Sequence, residues 1–320
     1  ARFDETPLAS GGTSGTLGDG VVTNDAALVF NRSDALTVAN AVSGSGTLEK
    51  TGAGTLILTG ANSYAGGTAI SGGTLQVGDG GATGSLGSGG IDNNGILAFR
   101  RSDDITIANA ISGSGTLTQT GNGTLILTGD NSYSGITTIS RGTLQVGDGG
   151  TSGSLGSGTV INNAALVFNR SDDITVANNI VNMISDAGSV SQIGGGILTL
   201  SGANGYAGGT VIDTGTIRIA NAGNLGNSGG AVTLSNGGTL GFTANMSLNP
   251  GRVITLADGG GAFDTGGNTV LITSIVTGVG SLTKSGAGTL ILTSTSVRTG
   301  GTIVEDGTLQ IGNGNTGGSL

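Results

Sequence analysis

The chain has 320 residues, 68 of them glycine, with two prolines, three tyrosines, six phenylalanines and 35% hydrophobic residues. Eleven Lys and Arg against twenty Asp and Glu give a net charge of −9, and the densest basic cluster is Arg100–Arg101, which argues against nucleic acid and anionic membranes as partners. Cysteine and histidine are both absent; this excludes disulfides, Cys/His metal sites and His-dependent nucleophilic triads.

Along the chain, "ARFDETPLASGG" carries neither the basic start nor the apolar run of a signal peptide, and no later segment approaches the ~18 apolar residues of a membrane helix. From Gly11 a long repeat begins. Gly11–Asp79 aligns without gaps on Gly80–Asp148, with 45 of 69 positions identical, and Phe30, Phe99 and Phe168 keep the same phase, as do the RSD triplets that begin at Arg32, Arg101 and Arg170. Within each copy, short β-rich segments such as "ALVF" (Ala27–Phe30), "TLILT" (Thr55–Thr59) and "TLQVG" (Thr74–Gly78) are bounded by Gly, Asn, Ser or Asp. No window shows an apolar stripe at helical spacing. The third copy gains four residues between Leu125 and Leu198, expected in a loop; in the fourth, Leu290 lies 92 residues after Leu198, which is 69 plus 23.

Because 69 is three times 23, the spacing predicts a turn of about 23 residues, three turns to a repeat and one whole extra turn in the fourth copy. The expected fold is all-β, a parallel β-helix (solenoid) of single short strands, continuous over residues 1–320 and a section of a longer chain. Leucines and valines alternate inward, glycines take the corners where positive φ is needed, and in-phase asparagines (Asn24 and Asn93, Asn62 and Asn131) satisfy backbone groups there. Lys50 and Lys284 share a repeat position and are expected to face solvent.

"GSGTLTQTGNGTLILTGDNSYSGITTISRGTLQVG" (Gly113–Gly147), with similar blocks at Gly44–Gly78, Gly188–Ala220 and Gly278–Gly312, resembles the passenger-associated transport repeat of bacterial autotransporters. The resemblance implies a right-handed coil. It also implies display at the surface of a Gram-negative bacterium, anchored or released, from an outer-membrane barrel on the same polypeptide, and a role as adhesin or self-association factor. Its implied partners are a host-cell or matrix ligand or an identical passenger, with no membrane insertion by this segment. A spacer that drives secretion would have the same repeats.

Parallel β-helices also include polysaccharide-cleaving enzymes, so carboxylates matter. Asp103/Asp104 and Asp172/Asp173 are adjacent pairs whose members point to opposite sides of an extended segment. Equivalent aspartates three turns apart are separated by ~14 Å at the strand spacing, beyond the ~5–9.5 Å of a glycosidase pair. No catalytic residue, metal site or cofactor is expected. Candidate interaction residues are the in-phase Tyr64, Tyr133 and Tyr206, which as an alternative pack over corner loops and are replaced by Arg298 in the fourth copy. To these are added the two aspartate pairs, and Met183 and Asp186 in the diverged stretch from Asn179 to Gly196.

Overall fold

Residues 12–183, 188–314 and 317–320 are described by the computed structural model. The chain is an all-β parallel solenoid of about 14 turns. Among the described residues the one helical element is a single 3-10 turn, Ala222–Leu225. Two compact units make it up: Ala1–Leu144 with Gly153–Gly158, and Gln145–Ser152 with Thr159–Leu320.

In the first unit, strands Ala27–Phe30, Thr47–Lys50, Thr68–Ile70, Ile91–Asn93 and Ile111–Ser112 stack as one parallel sheet. Strands Leu36–Val38, Thr55–Leu58, Thr74–Val77, Ile96–Phe99, Thr116–Gln119 and Thr137–Ile139 form the next. The pairing register lines up Leu36, Leu56, Leu75, Leu97 and Leu117 as a ladder, and the last four are buried. Burying each such side chain is worth about 1.5–3 kcal/mol. Threonine precedes the ladder leucine in most of these strands and faces outward, so one T-L alternation both fills the core and keeps the surface polar.

The second unit has a sheet running from Ala165–Phe168 through Ser189–Gln192, Thr210–Ile212, Val232–Leu234, Ile254–Leu256 and Val276–Gly278 to Val297–Arg298. A second sheet runs from Ile174–Val176 through Ile197–Leu200, Thr216–Ile219, Gly238–Phe242, Gly261–Asp264 and Leu282–Ser285 to Thr302–Val304. The third comprises Met246–Leu248, Thr269–Ile272, Thr289–Leu292 and Thr308–Ile311. Inside, Phe242 and Phe263 meet with ring centroids 6.2 Å apart.

The turn length varies. A 23-residue step occurs where Thr68 pairs Ile91 and Ile217 pairs Leu240; Leu28 to Leu48 and Leu48 to Thr68 are 20 each, and Thr55 to Thr74 is 19. The long repeat is therefore not three turns. Following registers from Leu28 through Leu48 and Thr68 completes three turns at Ile91, one strand before Leu97, the repeat equivalent of Leu28. Leu97 belongs to the neighbouring sheet. Each 69-residue copy thus advances three turns and one face, about 21 residues per turn, and rotates its equivalent strands by one face. The divisibility of 69 by 23 is an arithmetic coincidence. The fourth copy does gain one whole turn: Leu198 and Leu290 again lie one face apart, with one more strand level between them. The four inserted residues fall between Val181 and Ser189, since Val160 pairs Ile180 at a step of 20 but Ala165 pairs Ser189 at 24.

Lys50 and Lys284 do not face solvent; both are buried. Lys50 Nζ donates to the carbonyls of Gly52 and Gly72, and Lys284 Nζ to those of Ser285 (2.8 Å), Gly286 (2.6 Å) and Asp306 (2.9 Å). The second and third copies place Gln119 and Gln192 there, donating to Gly121 and Gly123 and to Gly194 and Gly196. Glycine corners turn their carbonyls inward, and a carbonyl left unpaired in a dry core is costly. The position therefore selects a long donor, whether charged or not, and burial lowers the pKa of both lysines. Lys50→Gln, which copies the second repeat, is expected to keep the urea unfolding midpoint near that of the wild type. Lys50→Met removes the donor and is expected to lower stability by about 1–3 kcal/mol; equal midpoints for the two variants would show that the carbonyls need no donor.

Candidate functional surface

The recurring polar side chains are the natural candidates for a site, and each is engaged by the coil itself. Asn62 Oδ1 accepts from Val42 N (3.0 Å) while its Nδ2 donates to Ser85 O (2.8 Å); Asn131 bonds Ile111 N and Ser154 O in the same way. Asn24, Asn93 and Asn162 donate to Thr47 O, Thr116 O and Ser189 O, each at 2.8 Å. An amide carries both donor and acceptor, so one side chain satisfies backbone groups of adjoining turns. Gly113 shows how close those turns approach: its φ is +99°, and a Cβ there would lie 2.3 Å from Asn93 O.

Tyr64, Tyr133 and Tyr206 are fully buried and present no contact surface. Their hydroxyls bond the Oγ1 atoms of Thr68, Thr137 and Thr210 at 2.7–2.8 Å. Each ring lies under a glycine corner; a Cβ at Gly156 would stand 2.5 Å from Tyr133 Cδ2. This is the alternative packing over corner loops. Arg298, their fourth-copy replacement, likewise reaches the residue four positions on, bonding Thr302 Oγ1 and the carbonyls of Gly300 and Gly301. Burial raises the pKa of all three phenols, that of Tyr206 to about 12.

Asp103 and Asp172 are half-exposed and gripped by the arginine two residues before them. Arg101 Nε and Nη2 meet Asp103 Oδ1 and Oδ2 at 2.9 and 2.7 Å, and Arg170 meets Asp172 at 2.8 and 2.6 Å; Arg32 and Asp34 repeat the fork in the first copy. These hydrogen bonds, with the arginine charge adding to them, hold the three carboxyls below their usual range, although the little burial they have works the other way. The same guanidinium of Arg101 donates to the carbonyls of Ala82 and Gly84, tying down the glycine loop of the preceding turn. Asp104 and Asp173 face elsewhere, accepting from Thr124 N (2.8 Å) and Ile197 N (3.1 Å). The pairs are anchors at corners. Met183 is 77% exposed, with its amide bound to Asn163 Oδ1; Asp186 lies outside the described residues.

Among the described residues no group of three or more Asp or Glu gathers to hold a metal ion. Two shallow depressions, lined by Leu17, Asp19, Leu36 and Asn40 and by Ser201, Asn204, Asn221 and Asn224, hold one acid between them. What the coil leaves free is its outer strand faces.

Four segments, 48–77, 117–146, 190–219 and 282–311, match the passenger-associated-transport-repeat family. The four matched segments are passenger-associated transport repeats. Each matched repeat opens on a buried Leu or Val, carries the inward Lys or Gln donor two residues later, and includes the buried Tyr or its Arg298 replacement. The Arg–Asp forks fall outside the matches. The chain is also 34% identical, over 250 residues, to the Adhesin BmaC autotransporter of Brucella suis biovar 1 (strain 1330); the match covers 72% of this chain and 7% of that much longer protein. No solved structure matches.

Sequence reasoning placed the repeats but missed the Lys/Gln donor, whose signal was a polar residue in phase with inward leucines. It also missed Arg252, which is buried and donates to the carbonyls of Leu225, Gly226, Asn227 and Gly230.

Two outcomes follow from this geometry. Arg101→Ala frees the loop of residues 79–84, and amide exchange there is expected to quicken several-fold while the ladder of Leu75 and Leu97 stays protected. The phenol of Tyr206 holds its proton to higher pH folded than unfolded. Its stabilising contribution is complete below the unfolded value of about 10 and is lost as pH climbs toward the folded one. Wild-type urea midpoints should therefore fall from about pH 10 upward. Tyr206→Phe starts lower, by about 0.5–1.5 kcal/mol for the lost Thr210 bond, and should fall less steeply.

Proposed function

We propose that this chain is a surface-displayed, non-enzymatic adhesive segment of an autotransporter passenger. In the full-length protein it is linked covalently to an outer-membrane barrel and shown outside a Gram-negative cell, whether kept there or released. The observation that carries the reading is the likeness to an autotransporter adhesin across 72% of the chain. The chemistry of the fold supports it: recurring polar groups are used up at corners, and threonine- and valine-bearing strand faces remain for contact. The whole of residues 1–320 belongs to one longer passenger in this reading. Contact is made with a host-cell or matrix ligand or with an identical passenger.

A spacer that drives secretion is the second reading, favoured by the same engagement of Asn62, Asn131 and Arg101 within the coil. Displaying the chain on cells through a heterologous barrel separates the two. An adhesive segment is expected to make those cells clump or attach to host cells or matrix above the level of cells showing an unrelated β-solenoid; a spacer leaves them at that level.

A further inference from the structure

The corner held by the buried lysine recurs in phase, but one of its residues does not. Lys50 reaches the carbonyl of Gly72, 22 positions on, and Lys284 reaches that of Asp306 at the same separation. The second and third copies have Arg141 and Thr214 at this place. A glycine follows in every copy, with φ of +62°, +61°, +62° and +67° at Gly73, Gly142, Gly215 and Gly307. It is obligatory, since a Cβ at Gly307 would stand 2.4 Å from Gly288 O. The residue before it is free to vary, and only the fourth copy sets a carboxylate there. The pair Asp306–Gly307 is set apart by where its amide points: Gly307 N donates to Asp306 Oδ1, the carboxylate of its own neighbour, at 2.7 Å. In Asp79–Gly80 and Asp148–Gly149 the glycine amides donate instead to the carbonyls of Arg100 (2.7 Å) and Asn169 (2.8 Å), and in Asn236–Gly237 to that of Gly260 (3.1 Å). Lys284 Nζ donates at 2.9 Å to Asp306 O, which belongs to the same peptide whose nitrogen faces the carboxylate. Asp306 and Gly307 are both exposed, so water reaches the pair.

We propose that Asp306–Gly307 is a self-modification site, at which the chain converts Asp306 to isoaspartate through a cyclic imide, with Lys284 as the assisting residue. The carboxyl takes a proton from solvent, and the Gly307 nitrogen attacks Asp306 Cγ. A Cγ–N bond forms, the carboxyl hydroxyl leaves as water with the proton from the nitrogen, and a five-membered ring closes. Water then adds back at one of the two ring carbonyls. Breaking the new Cγ–N bond restores aspartate. Breaking the original peptide C–N bond leaves the main chain running through Cβ and Cγ, which is isoaspartate. One water leaves and one returns, so the mass is unchanged and no co-reactant is needed.

Proximity and polarisation make this corner competent. Ring closure needs the nitrogen and the carboxyl carbon at about 3–3.5 Å, and the bond to Oδ1 holds the carboxyl beside the nitrogen. Glycine has no side chain to obstruct the approach. As the nitrogen gives up its proton, negative charge moves onto the Asp306 carbonyl oxygen, where the Lys284 ammonium already donates; a donor fixed in place where charge develops lowers the barrier. Isoaspartate adds a main-chain atom to a closely stacked corner and turns the carbonyl that Lys284 holds into a free carboxylate. The strand that follows directly, Thr308–Ile311, pairs with Thr289–Leu292 and is the element this loosens.

Ageing the purified chain for weeks, folded and in parallel unfolded in guanidinium chloride, is the test. Electron-transfer fragmentation of the tryptic peptide that follows Arg298 tells isoaspartate from aspartate at residue 306. Isoaspartate is expected there at least as fast in the folded chain as in the unfolded one, whereas folding slows it at least tenfold at Asp79 and Asp148. Lys284→Gln, which copies the neutral donor Gln119, is expected to slow the folded rate several-fold and to leave the unfolded rate unchanged. Asp306→Thr copies Thr214 and is expected to form none; circular dichroism checks that both variants fold. Amide exchange in Thr308–Ile311 is expected to quicken in the aged wild type and to stay as it was in Asp306→Thr. Folding that slows the reaction at Asp306 as strongly as at Asp79 overturns the site. Equal folded rates in Lys284→Gln and wild type overturn the part given to the lysine.

Discussion

A parallel coil must leave its ladders at every corner, and the structure depends on how the backbone groups released there are satisfied. Strands take care of themselves: in the middle of Thr55–Leu58 each amide and carbonyl bonds the turn above or below. Corners do not, and here they are short, rich in glycine and closely stacked. The chain answers with side chains of fixed reach. Asparagine serves corners that need a donor and an acceptor, Lys50 and Gln119 serve corners whose carbonyls turn inward, and Arg101 ties down a loop that leaves the coil. Gln119 leaves its Oε1 buried and unpaired, whereas Lys50 has no acceptor to satisfy but carries a charge into the core. Alternation between the two across copies reflects two comparable costs, one of an unmet acceptor and one of a desolvated ammonium.

A consequence of the 69-residue repeat follows from its three turns and one face. Phe30 and Phe99 occupy the same place in their copies but different sheets of the first unit. Leu198 and Leu290 do the same in the second. Recurrence in sequence is therefore not recurrence along one surface. Equivalent outward residues of successive copies look in different directions, and a partner lying along one face meets non-equivalent segments. Continuous surfaces, such as the column Thr233, Thr255, Thr277 and Val297, are assembled from stretches that sequence comparison does not align.

Much of the fold was legible because its determinants are local. Alternation in "TLILT" fixes which side of a strand is buried, and glycine fixes the corners. In-phase asparagines announce stacked amides, and the resemblance in Gly113–Gly147 agrees with the repeat match. Turn phase was not legible, because whole-repeat spacing constrains only the sum of turns, and 69 residues divide as readily by three turns as by three and a third. Lys50 was misplaced for a different reason. Charge usually marks the solvent side, but it follows Leu48 at the spacing of inward residues, and of the two carbonyls that hold it one, Gly72, comes from a corner a full turn away. The tyrosines were ambiguous because a phenol suits either surface, and only the Thr68, Thr137 and Thr210 hydroxyls beneath them decide the matter.

The division of labour between corners and faces also explains why a site was hard to read from the repeats. Residues held in phase across copies are those the coil needs, since each turn must solve the same corner problem. Outward strand positions answer to β-propensity and to solvent, so they drift: the places equivalent to Glu49 hold Thr118, Ser191 and Thr283. What fails to repeat on such a scaffold is its outer strand surface. The absence of charge across Val253, Thr255, Ile275 and Thr277 is a property of neighbouring turns rather than of any repeat, in a chain with almost twice as many acids as bases. Corner chemistry does not set it, because these positions lie on or beside strands, where only the inward side of the T-L alternation answers to the core.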